Sequence, residues 1–148
     1  MSQLFERIKE EIKNAMRARD TERLSTLRML HAAVKNRDID LDREITDDDI
    51  LQVVTTEAKR RRQSAEAFDA GNRPDLADKE RRELEILKEY LPEQLTDDEV
   101  DQIVDEVIAA TGAESRREMG KVMGSVIPRI KGRYDASKIK DIVLAKLG

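Results

Sequence analysis

The sequence has no cysteine and no tryptophan, one histidine, and only two tyrosines and two phenylalanines among 148 residues. Without cysteine there is neither a disulfide framework nor a thiolate for nucleophilic or metal chemistry. His31 falls on an apolar stripe and reads as a packed, neutral side chain, so no zinc site and no Ser-His-Asp arrangement is legible. Scarce aromatics with 41% charged residues disfavour a β-sandwich or barrel and suit helices with solvated outer faces over small aliphatic cores. The longest apolar run is far below the ~20 residues that span a bilayer. The first residues, Met1-Ser2-Gln3-Leu4-Phe5-Glu6, lack the basic and apolar regions of a signal peptide. A soluble protein of a reducing compartment is expected, placed in the cytoplasm, with no membrane partner, no cofactor and no catalytic or metal-binding residues.

Two acidic clusters have ordinary explanations. Asp38-Ile39-Asp40-Leu41-Asp42-Arg43 starts like a calcium loop but puts Arg43 where glycine is needed and Asp49 where a bidentate glutamate belongs. Asp47, Asp48 and Asp49 suit the positive end of a helix dipole.

The net charge of −4 conceals an asymmetry. Glu93 to Glu114 holds eight acidic residues and no basic one. Arg116 to Lys140 holds eight basic residues against Glu118 and Asp135, a surplus of six positive charges. One end of an acidic molecule thus carries a positive field.

The periodicities predict seven helices and no strand: an all-α fold with an amino-terminal four-helix region, residues 1–91, and a three-helix tail, residues 92–148. The first helix ends near Ala18, and Asp20 caps a second with the stripe Leu24, Leu27, Leu30, His31 and Val34. A polar connector is expected from Asn36 to Glu44. Thr46 with Asp49 forms a capping box for the third helix, stapled by Ile45 and Ile50, which runs to Gly71. Pro74 opens the fourth helix, expected to end at Tyr90-Leu91, and Pro92 marks the boundary. Thr96 with Glu99 caps the fifth, which stops at Gly112; Ser115 with Glu118 opens the sixth, which ends at Gly132; Asp135 caps the seventh.

The sixth helix is the unusual one. Met119, Val122, Met123, Val126, Ile127 and Ile130 share one sector, while Gly120, Gly124, Pro128 and Lys131, with Arg117 and Lys121, share another. Two glycines on a wet face cost about 1 kcal/mol each relative to alanine. Pro128 supplies no N–H to the Gly124 carbonyl. Glycines four apart admit either a second helix or a phosphate backbone, and the residues alone leave both open. The basic neighbours turn the balance toward a polyanion. Only Tyr134 interleaves them, which favours a folded RNA over stacked single-stranded bases. In Lys59-Arg60-Arg61-Arg62, position 61 lies near the inward stripe; pairing with Glu57 or a carboxylate of the fourth helix is favoured over RNA contact.

The chain resembles the YqeY (GatB/YqeY) family, small bacterial proteins related to the tail of the B subunit of aspartyl/glutamyl-tRNA amidotransferase. The residues that carry this are Leu24-Ser25-Thr26-Leu27-Arg28-Met29-Leu30, Arg61-Arg62-Gln63-Ser64 with Phe68, Tyr90-Leu91-Pro92-Glu93-Gln94-Leu95, and above all Met119-Gly120-Lys121-Val122-Met123-Gly124 with Lys131-Gly132-Arg133. The resemblance implies a helical bundle followed by a tail that reads tRNA while other domains of the amidotransferase transfer the amide. It implies tRNA-facing roles for Gly120, Lys121, Gly124, Lys131, Gly132 and Arg133; Arg117 and Lys138 join them on charge. Partners expected are tRNA or another structured RNA, and an amidotransferase or other translation protein. A carbon–nitrogen ligase label with glutamine as amido-N-donor belongs to the larger assembly, since this sequence holds no kinase-like catalytic domain. The alternative is a helical protein–protein interaction module without RNA binding. One departure is Asp135-Ala136 where the family favours Asp-Gly, which puts a positive-φ turn at 136 in doubt.

Overall fold

The structure is a computed structural model that describes residues 2–148; Met1, counted above in the amino-terminal region, lies outside them. Seven α-helices and two short 3-10 turns make up the described residues, with no strand among them. The described residues form two compact units, divided between Leu91 and Pro92.

The first unit contains α1 (Gln3–Ala18), α2 (Thr21–Asp40), α3 (Asp47–Ala70) and α4 (Pro74–Lys88). Ser2 caps α1, its hydroxyl accepting from the Phe5 N–H at 3.1 Å and donating to Asp47. Asp20 caps α2, and Thr46 and Asp49 close a reciprocal capping box on α3. Asp49 also takes a two-pronged contact from Arg43 at 2.6 and 2.8 Å, which holds its carboxyl well below the usual range. Of the three aspartates at this helix start, Asp49 closes the cap and Asp47 accepts from Ser2 and from the Leu4 N–H. Ile8, Leu27, Leu30, Val34, Ile50, Val54 and Leu87 form the centre of the core, and α4 packs most extensively along α3.

Two boundaries differ from expectation. The helix α2 continues through Asn36 to Asp40, because nothing in that polar stretch breaks it, and only at Leu41 does the backbone turn extended. At the other end, α4 stops at Lys88, short of Tyr90-Leu91. Its last turn tightens into i→i+3 bonds, from Glu89, Tyr90 and Leu91 N–H to Ile86, Leu87 and Lys88 carbonyls, ahead of Pro92.

Arg61 is 7% exposed and Glu83 6%. The guanidinium reaches Glu57 at 2.5 Å and Glu83 of α4 at 3.5 Å, so position 61 is an interior ion pair, as its place near the inward stripe suggested. Burial pushes the Glu83 carboxyl up despite that partner. Tyr90 is another buried polar anchor: its hydroxyl donates to Glu11 at 2.5 Å, Arg7 lies 4.5 Å over its ring, and Arg23 joins Glu11 to Glu89. His31 packs against the Phe5 ring, and burial followed by Lys35 lowers its pKa, in keeping with a neutral side chain.

The second unit contains α5 (Asp97–Thr111), α6 (Met119–Ile130) and α7 (Ile139–Leu147). Thr96 and Glu99 cap α5, and Gly112 ends it in the left-handed region at φ 69°. The core is aliphatic throughout, with Val100, Val104, Val107, Val122, Val126, Ile130, Ile139 and Val143 at its centre. The capping box of Ser115 and Glu118 is present but opens a 3-10 turn, Arg116–Glu118, before α6 begins at Met119. Asp135 likewise accepts from the Ser137 N–H and opens a 3-10 turn, Ala136–Lys138. Ala136 has no positive φ, so the alanine is accommodated without a glycine-type turn.

Candidate nucleic-acid interface

The outward side of α6 is built by what its inward side needs. Val122, Val126 and Ile130 are fully buried, with Met119, Met123 and Ile127 partly buried around them. That fixes the rotation of the helix and leaves Gly120, Lys121, Gly124 and Pro128 exposed on the opposite side. A Cβ placed on Gly120 or Gly124 would meet nothing within 4 Å. Within the chain, then, these glycines do not permit a close helix contact. They leave two stretches of bare, helical backbone facing outward, and neither has the positive φ that would require glycine.

The predicted site residues divide into two groups. Arg117, just before α6, and Lys131, just after it, are exposed and make no ion pair among the described residues. Lys138 lies apart, in the 3-10 turn before α7, with its ammonium 6.0 Å from the centre of the Tyr134 ring. By contrast, Lys121, Gly132 and Arg133 hold the unit together. The Lys121 ammonium donates to the Thr111 carbonyl at 2.8 Å, completing the end of α5. Gly132 takes φ 74°, and its carbonyl accepts from the Gln94 side chain at 2.9 Å. Arg133 donates from Nε to the Glu93 carbonyl at 3.1 Å, and its own carbonyl accepts from the Leu95 N–H at 2.8 Å. The segment after α6 is thereby strapped to the segment before α5.

The acidic and basic stretches also meet inside this unit. Arg129 pairs with Glu106 at 2.9 Å, and Lys146 with Asp105 at 2.9 Å. Tyr134 donates to Asp97 at 2.5 Å, and burial together with that carboxylate pushes its phenol up to about 12. Sequence reading missed these partners. Residues on separate helices leave no spacing signal, and only the fold brings Glu106, Thr111 and Asp97 to them. The positive charge left over lies at the two ends of α6 and in the turn before α7.

Elsewhere, Ser25, Arg28 and Met29 line a shallow groove along the outer side of α2, while Leu27 and Leu30 face the core. Among the described residues no group of three or more His, Cys, Asp or Glu side chains could hold a metal ion, and no helix is long and apolar enough to cross a membrane.

Curated relatives align with a little over half of the chain. The protein named altered inheritance of mitochondria protein 41, mitochondrial, of Lachancea thermotolerans is 36% identical over 85 residues, covering 57% of this chain and 46% of its own length. Its counterpart of the same name in Clavispora lusitaniae is 33% identical over 88 residues, covering 60% of this chain and 51% of its own. An uncharacterised Schizosaccharomyces pombe protein is 29% identical over 85 residues, covering 57% and 69%. The aligned region thus spans about half the length of the two mitochondrial proteins. These relatives correct the cytoplasmic placement expected from composition, because they are named as mitochondrial. Lack of cysteine and of a membrane-length apolar run describes any reducing compartment equally and could not carry that distinction. A model of the Yqey-like protein family matches residues 5–147, and the chain belongs to that family.

Proposed function

We propose that the protein is a non-catalytic accessory factor that binds tRNA or another structured RNA along the exposed side of α6. The observation that carries this reading is the pair Gly120 and Gly124, where an added Cβ would meet nothing within 4 Å, flanked by Arg117 and Lys131, which make no ion pair among the described residues. A polyanion gains from all of these at once: the backbone admits close approach, and the cations meet phosphates without first breaking an ion pair. The resemblance of the segment to the amidotransferase tail supports tRNA as the RNA, and an amidotransferase or other translation protein as the wider setting. Lys121 adds charge beside the glycines while it caps α5.

The test is a tRNA titration of the full chain at several salt concentrations. Lys131→Ala is expected to weaken binding and reduce the salt slope by about 0.9 for each lost duplex phosphate contact, somewhat less on single strands. Binding unchanged in Lys131→Ala and Arg117→Ala overturns the assignment. The same glycines also suit a partner helix. A folded Gly124→Leu variant that keeps tRNA affinity and loses a protein partner identifies that occupant instead.

A further inference from the structure

We infer that the exposed side of α6 distinguishes RNA from DNA by accepting a ribose 2′-hydroxyl at the carbonyl of Gly124, an inference that rests on the RNA-binding reading above. Pro128 sits inside α6, four residues beyond Gly124. Proline has no N–H, so the bond that would close this turn is missing, and its ring presses the facing carbonyl aside. Gly124 and Pro128 are both exposed, and no side chain stands over Gly124. The carbonyl of Gly124 thus lacks its i+4 backbone donor, at an exposed residue between Arg117 and Lys131.

The chemistry of a nucleic acid decides what can meet it. A phosphate diester offers only acceptors, and so does deoxyribose within a strand. The donor on the sugar–phosphate surface of RNA is the 2′-hydroxyl. In an A-form helix these hydroxyls line the wide, shallow minor groove, which a flat surface can approach. Gly120, one turn earlier, keeps that approach clear, since a Cβ there also has nothing beneath or beside it. Arg117 and Lys131, at the two ends of the same helix, are placed to hold flanking phosphates. Charge supplies the affinity in this arrangement, and the Gly124 carbonyl supplies the choice of sugar.

The full-length protein is titrated with a short A-form RNA hairpin and with the same hairpin carrying 2′-fluoro in place of each 2′-hydroxyl. Fluorine keeps the A-form pucker and removes the donor. The hydroxyl hairpin is expected to bind about fivefold more tightly, the worth of one net hydrogen bond. Pro128→Ala restores an N–H opposite Gly124 and replaces a mid-helix proline with the best helix former, so the variant stays folded. It should keep binding both hairpins while the ratio between them falls to about one. A ratio of one in the unmodified protein, or a fivefold ratio that survives in Pro128→Ala, overturns the 2′-hydroxyl inference and leaves the RNA-binding reading standing. Failure to bind either hairpin overturns the 2′-hydroxyl inference, and the tRNA titration above decides the RNA-binding reading.

Discussion

Replacing Gly120 and Gly124 by alanine should make the protein more stable and a worse RNA binder. Each glycine lies in a helix with ordinary backbone angles, and the added methyl meets nothing within 4 Å. The substitution then acts through helix propensity alone, about 1 kcal/mol at each site and about 2 kcal/mol for the pair. If the Pro92–Gly148 unit melts by itself, that is about 4–8 °C per kcal/mol; if the whole chain melts together, about 2–4 °C per kcal/mol. Thermal and urea unfolding followed by circular dichroism reads the gain, and a tRNA titration of the same samples reads the loss, expected at tenfold or more (about 1.4 kcal/mol). Opposite signs in the two assays are the signature of glycines retained for a ligand. A double variant less stable than the parent would refute the claim that this face is open. One that is more stable but binds tRNA unchanged would refute the role given to the bare backbone.

The interior pair in the first unit makes a second prediction. Arg61→Met leaves Glu83 buried without its cation, and Glu57 with Arg60 alone, and should cost about 3–5 kcal/mol in urea unfolding, whereas adding Glu83→Leu should recover most of it. Equal losses in the single and double variants would refute the pairing. Asp49 supplies a pH signature: its pKa is lowered from an ordinary 3.8, chiefly by Arg43, so its contribution is full above that value and is lost as pH falls through the depressed one. Asp49→Asn should flatten the acid limb of the stability curve, and an unchanged limb places the acid sensitivity elsewhere. The two tyrosines give an alkaline signature, since burial raises both phenols above the ordinary 10, Tyr134 to about 12. Native protein should show no phenolate absorbance near pH 10 although the unfolded chain does. The corresponding stability is present below pH 10 and declines as pH climbs through the raised values.

Much of the fold was legible because its punctuation is local. Thr46 with Asp49, Thr96 with Glu99 and Ser115 with Glu118 are side chains bonding to backbone three residues away, and all three boxes are in the structure. Pro74 and Gly112 act within a turn of their own positions. Boundaries without such a marker went astray: nothing local ends α2 at Asn36, and the tightening of α4 at Lys88 depends on what precedes Pro92. At the candidate site, the rotation of α6 followed from the spacing of its valines, so the exposure of both glycines was readable. The duties of Lys121, Gly132 and Arg133 were not. Their partners, Thr111, Gln94 and Glu93, lie 10, 38 and 40 residues away, where no periodicity connects them.

The helix that presents the open face has little reason to exist alone. Its twelve residues, Met119–Ile130, include two glycines, a proline and four β-branched residues, and a segment of that length and composition is coil in water. What keeps it wound is the burial of Val122, Val126 and Ile130. The proposed RNA-binding face is therefore on loan from the core beneath it. A cavity made on the hidden side, as by Val126→Ala, would weaken binding from a position no ligand can touch. On the buried side of α6 affinity and folding would thus fall together, whereas on the glycine side they part.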